Sequence, residues 1–467
     1  SFSNSLSTKT KDKNELLAIV ALNCNKGYYE NIFGKISKAI SSYELAWKIY
    51  HKNKLTTYDI TEYCLKPLGN LYTLIGDYSN AENSIKQYYF VASQEKNESQ
   101  KQAAVLNLSN VYQNTGRIDQ AIELLEKTIQ KEKLTNAQKG LLYNNLGSNY
   151  FLNTRATKMK SYAFENAEKA FLKAVLLLER EPSQHEALTN SYRNLCKLNL
   201  ERKNKQMALH YFEKAKHTFE KIPNPNPRKK AQFYFDEANM LFKQREITAS
   251  SLAIERVFKT LIPAYSSAKT VLPNQSALYA ETILLDVLDL QAELFLAQSQ
   301  PKKALESYAL AFHIEALFQS LLVYENSKII IQIRNRNRTE RCIAIYQSLF
   351  QKENKKNYLE SAFLLAEKTK SIVLKANLNL KKFQSHEEKL LLEQLQNHNT
   401  IIVKEQQKGA TAAISKINDA LKKQNELMLL LKETQSKKGN TTKTEIDLKE
   451  LYTKLEKDNS ILIEYFS

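Results

Sequence analysis

The chain has 467 residues, 43% of them apolar and 25% charged, and a formal net charge of +18. That apolar share suffices for a packed core, and no run approaches the ~18 apolar residues of a membrane-spanning helix. Only 9 glycines and 8 prolines punctuate the sequence, too few for the turns of an all-β or dinucleotide-binding fold, so the composition predicts helices.

The first twelve residues, Ser1 to Asp12, lack the charged-then-apolar layout of a targeting peptide. Cys24, Cys64, Cys196 and Cys342 include no CxxC pair, which argues against a zinc ribbon or a redox motif and for free, buried thiols. The basic excess is spread along the chain. It permits polyanion binding without placing it.

Along the chain, one pattern of offsets recurs. Gly69 is followed by Tyr72, Gly76, Ala81 and Ile85; Ser109 is followed by Tyr112, Gly116, Ala121 and Leu125. Each copy has a small residue, an aromatic three later, glycine seven later, alanine twelve later and a large apolar residue sixteen later. A third copy starts at Gly147 with Tyr150 but reaches Ala167 and Phe171 eight residues late, so 153–163 holds an insertion between its helices. Weaker copies lie at Gly27/Gly34/Ala39/Tyr43, at Cys196/Ala208/Phe212 and at Ala292/Ala304/Tyr308, with Pro301 opening the second helix of the last. Residues 231–262 read as a degenerate pair, flanked by proline-bearing loops at 223–227 and 263–275.

This spacing resembles the tetratricopeptide repeat, with copies about 40 residues apart, as in kinesin-light-chain-like repeats. Physically, the small residue lets helix A approach helix B and the glycine permits a left-handed end to helix A. The expected fold is therefore all-α, a tetratricopeptide-repeat right-handed superhelix (α-solenoid) over 1–325, followed by a long-helix region over 326–459. Within that region, residues 384–435 carry apolar positions at helical spacing and predict a long helical hairpin; 436–444 reads as a turn and 445–457 as a helix. Residues 461–466 (Ile-Leu-Ile-Glu-Tyr-Phe) read as one strand with no partner strands in the chain.

The order of repeats, the Ala362-Phe363 helix ending in Lys370-Ser371, the hairpin and then Asp458 with Ile461 to Phe466 resembles CHAT proteins. The resemblance implies that 460–467 opens a caspase-like protease domain whose catalytic His and Cys lie beyond Phe466. No catalytic, cofactor-binding or metal-binding residue is assigned within this chain, and the chain itself is expected not to be an enzyme.

Candidate binding residues come from the helix A face that lines a concave groove in such arrays. They are Lys66, Asn70 and Thr73, then Asn107, Asn110 and Gln113, then Asn144, Asn145 and Ser148. Lys66, Asn70 and an Asn in the next repeat match three positions of the carboxylate clamp of chaperone-binding tetratricopeptide domains. Leu141 and Asn145 stand where that clamp has Lys and Arg. An amide-rich groove suits an extended peptide's backbone. A second candidate is a polyanion patch of Arg334, Arg336, Arg338 and Arg341, which supports the alternative reading of a basic adaptor on a nucleic-acid-containing complex. His210, Glu213 and His217 share a helix face, for which a solvated surface is the simpler account than a metal site.

Overall fold

The computed structural model describes residues 12–131, 133–154, 160–266, 270–319, 322, 325–370, 385–408, 413–436 and 446–462. Among these residues there is no strand, and the helices pair into successive antiparallel hairpins. In chain order the pairs are α1 (Lys13–Ile32) with α2 (Ile36–Lys52), α3 (Lys66–Ile75) with α4 (Tyr78–Gln94), α5 (Glu98–Asn114) with α6 (Ile118–Lys131), and α7 (Asn136–Asn153) with α8 (Lys160–Leu178). They continue as α9 (His185–Glu201) with α10 (Lys205–Glu220), α11 (Pro227–Lys243) with α12 (Ile247–Leu261), α13 (Thr282–Ala297) with α14 (Pro301–Gln319), and α15 (Glu325–Glu353) with α16 (Lys356–Thr369). Each hairpin packs on the next, so the molecule is a tetratricopeptide-type α-solenoid.

The recurring offsets are contacts. A Cβ placed on Gly27, Gly69 or Gly147 would lie 2.8, 2.8 or 2.6 Å from Tyr43, Ile85 or Phe171, the large residue of its own copy. One turn pair earlier in α7, a Cβ on Gly140 would meet Leu178 at 2.6 Å. The two helices of a hairpin thus touch backbone to side chain, and nothing larger fits between them. In the later copies Cys196 with Phe212, Ala238 with Ile254 and Ala292 with Tyr308 keep the same sixteen-residue offset, and all six residues are buried.

Seven residues after the small position, the chain turns left-handed. Gly34, Gly76 and Gly116 have φ of 72°, 81° and 77°, and Lys203, Arg245 and Ser299 fill the same slot with φ of 59°, 71° and 58°. Side chains other than glycine are strained there. The aromatic three residues after the small one ties helix A to the preceding hairpin: Tyr72 Oη donates to Glu44 Oε1 (2.8 Å), and Tyr150 Oη donates to Glu126 in the same way.

The solenoid comes back on itself. One apolar cluster joins Leu16, Ile36 and Trp47 of the first hairpin to Leu278, Ile283 and Leu322, and a Cβ placed on Gly34 would lie 3.6 Å from Tyr279 Oη. After α16, α17 (His386–Gln407) and α18 (Ile414–Ser436) form the antiparallel long hairpin that the sequence predicts. Leu395 packs with Leu427, Met428 and Leu431, and Ile402 packs with Ala420 and Leu421. A last helix, α19 (Leu448–Lys457), lies against α16, with Tyr452 Oη donating to Glu360 Oε1 (3.2 Å) and Lys356 over the Tyr452 ring. Residues 463–466 of the expected strand lie outside the described residues; Ile461 is 88% exposed.

Two substitutions test this packing rule. Gly147→Ala drives a methyl into Phe171 and is expected to cost about 1–3 kcal/mol by urea denaturation. Arg245→Gly relieves a left-handed side chain and is expected to be neutral or stabilising by about 1 kcal/mol. Equal, small effects of both would contradict the rule.

Candidate functional site: the polar row on the A helices

Helix A of each hairpin commits one side to its helix B. A neighbouring side, turned toward the next A helix, carries amides and hydroxyls from α3 to α9. Asn70 is exposed, and Asn107, Asn110, Gln113, Asn144, Asn145 and Ser148 are partly exposed.

The centre of the row is a connected network. Asn144 Oδ1 on α7 accepts from Ser191 Oγ (3.1 Å) and Asn194 Nδ2 (3.0 Å) on α9, and Asn194 Nδ2 also reaches Ser148 Oγ at 3.3 Å. Next along α9, Arg193 Nη1 donates to Asn190 Oδ1 (2.6 Å) and its guanidinium pairs with Asp236 of α11. Lys197 Nζ lies 3.0 Å from the same carboxylate. Burial opposes the charge on Asp236, but Arg193 and Lys197 outweigh it and hold its carboxyl below the usual range. Ser191, Asn194, Arg193, Lys197 and Asp236 were outside the sequence-based set. The signal for Asn194 was available, because it stands two residues before the small residue Cys196, a slot already used for Asn107 and Asn145.

Besides Asn144 and Ser148, two more of the expected residues are already engaged. Lys66 Nζ pairs with Glu62 Oε1 one turn back (2.5 Å), and Thr73 Oγ1 donates to the Gly69 carbonyl of its own helix (2.9 Å). Lys66 therefore does not extend alone into a groove as a clamp lysine would.

The arginine patch needs correction. The side chain of Arg334 lies outside the described residues. Arg338 is buried, with Nε and Nη2 on the two oxygens of Asp289 (2.8 and 2.9 Å), Nη1 on Asn335 Oδ1 (2.9 Å) and its plane over Phe312. Arg336 pairs with Glu340 at 3.0 Å, and Arg341 pairs with Glu293. Arg338 and Arg341 tie α15 to the hairpin before it and Arg336 pairs along its own helix, so the three described side chains do not form a single free cationic surface.

His210, Glu213 and His217 line an open cleft between α8, α9 and α10 together with His185 and Glu179. No group of three His, Cys, Asp or Glu among the described residues is placed to hold a metal ion. All four cysteines are free and buried. Burial pushes the Cys196 and Cys342 thiols up to about 12, which keeps them protonated and unreactive. Among the described residues no helix is long and apolar enough to cross a membrane.

No protein-family model and no curated protein matches the chain. Among solved structures it is similar to the apo form of RapI (16% identity, 64% of this chain and 98% of that chain, TM-score 0.43). It is also similar to a Rap protein complexed with Competence and Sporulation Factor (12%, 68% and 78%, TM-score 0.48). A third is BtubC (BKLC) from P. vanneervenii (18%, 52% and 94%, TM-score 0.35).

Asp236 gives the sharpest stability test of the row. Asp236→Ala leaves Arg193 without its counter-charge in a mostly buried position, and a loss of about 3–5 kcal/mol is expected. Because the folded carboxyl is held below its unfolded value, its contribution is complete above the ordinary aspartate range. It is lost as pH falls through the lowered folded value. A loss in Asp236→Ala that is the same at pH 2 as at pH 7 would contradict this assignment.

Proposed function

We propose that this chain is a non-catalytic scaffold that binds a protein segment as an extended peptide along the A-helix row. The observation that carries this reading is the row itself. Partly exposed amides recur on consecutive A helices, and an asparagine side chain offers both a donor and an acceptor to a peptide backbone. The ordered network at Asn144, Ser148, Ser191 and Asn194 holds the amides of α7 and α9 in fixed orientation before a ligand arrives, which reduces the entropic cost of binding.

At a finer level, we read the chain as the regulatory repeat region of a CHAT-family caspase-like protease, with the protease covalently linked in the parent protein. Residues 362–371 and Asp458 to Phe466 carry that resemblance. Two features support it: Ile461 and Leu462 are 88% and 48% exposed, and α17 shows Leu390, Ile401 and Val403 to solvent. These are surfaces that a further domain could cover. A nucleic-acid adaptor draws support only from the distributed net charge, since Arg338 is consumed in the core.

The test is binding of the full chain to a library of unstructured peptides, read by fluorescence polarisation. A bound peptide should lose about fivefold in affinity with Asn110→Ala or Asn145→Ala, one hydrogen bond each. The affinity should change little between low and moderate salt. Binding of single-stranded RNA that falls steeply with salt, with no peptide bound, would replace this reading by the polyanion one.

A further inference from the structure

The long hairpin does not stand off the solenoid. α18 lies on α4, although the two are more than three hundred residues apart in sequence, and Asn425 Nδ2 donates to Gln87 Oε1 (3.0 Å). Leu429 packs onto the cluster that contains the first hairpins. Beneath α18 is a groove floored by Trp47 of α2, Leu65, Leu68 and Tyr72 around α3, and Ser84 of α4.

Two features make this contact separable from the solenoid. First, the hairpin closes its own seam: Leu395, Leu427, Met428 and Leu431 pack together, as do Ile402, Ala420 and Leu421, without help from the repeats. Second, α18 does not seal the groove. A cleft open to solvent remains between Trp47, Tyr72, Asn425 and Met428. Trp47 Nε1 and, next to it, His51 Nε2 are buried without a hydrogen-bond partner among the described residues. Within a hairpin the contacts leave no room for an added methyl; under α18 the groove stays partly open and two polar atoms go unpaired. Such an interface is the first to open.

We propose that the groove over α2, α3 and α4 is a helix-docking site whose occupant, α18, is releasable, so that the α17–α18 hairpin works as a detachable clasp on the first repeats. Release is a rigid-body step, because the seam of the hairpin stays closed. It exposes Trp47, Leu65, Leu68 and Tyr72 as an apolar groove for an amphipathic helix. This inference does not depend on the peptide reading, since Asn70 stays exposed with α18 docked.

Trp47 is the single tryptophan of the sequence, so its emission reports the clasp directly. In the full chain, Leu429→Glu should shift the emission to longer wavelength and raise acrylamide quenching several-fold, with far-UV circular dichroism unchanged. A synthetic peptide of residues 414–436, added to that variant, should restore the shielding. Oxidative footprinting of the unmodified chain gives a second reading that needs no variant: Trp47 and Tyr72 should label at least tenfold faster than Tyr43 and Tyr88, which are also buried. A single common labelling rate for these four residues would overturn the proposal. So would Trp47 that stays shielded in Leu429→Glu, or exposure that comes only with loss of helix.

Discussion

Everything in this molecule rests on one contact: a small residue on helix A pressed against a large apolar residue on helix B, sixteen positions later or, past the insertion at 153–163, twenty-four. At Gly27, Gly69 and Gly147 the approach is so close that a single methyl would overlap the partner. Packing at that distance gains dispersion contacts along two helices at once, but it also fixes their relative rotation. Rotation in turn decides which side of each A helix is left over. Because the contact repeats, the leftover sides align, and the polar row from Asn70 to Asp236 is a consequence of the core rather than a separate construction.

The same constraint separates rigid from yielding parts. Within the solenoid, neighbouring hairpins are joined by buried apolar faces and by bonds such as Tyr72 to Glu44 and Arg117 to Glu82. Charges that fall inside are paired, as with Arg338 on Asp289 and Arg193 on Asp236, for which losing one partner is costly. The α17–α18 hairpin follows a different rule, two long helices zipped along their own seam, and meets the repeats through Leu429 and the Asn425–Gln87 bond beside a partly open groove.

The sequence made the repeats readable because an offset of sixteen depends only on helix geometry and turn length, both local. The left-handed slot was readable where glycine fills it and hidden at Lys203, Arg245 and Ser299, where the surrounding packing overrides residue preference. Arg338 was misjudged for a related reason. Spacings of four and three group it with Arg334 and Arg341, but it stands four residues before Cys342 and seven before Ile345, which are core. Only Asp289, far away in sequence, reveals that this arginine points inward, while Arg341 stays exposed. Docking of α18 on α4 left no local trace at all, since neither Asn425 nor Gln87 is unusual on a helix. The amides of α7 were legible as a candidate surface, while their bonding to α9 depended on register across two hairpins.

The most direct test of the account is the structure of the full chain with a peptide selected from an unbiased library. The account predicts an extended peptide lying along α5, α7 and α9, its backbone bonded to Asn110, Asn145 or their neighbours. A peptide seated instead over the B helices, or in the cleft lined by His210 and His217, would contradict it.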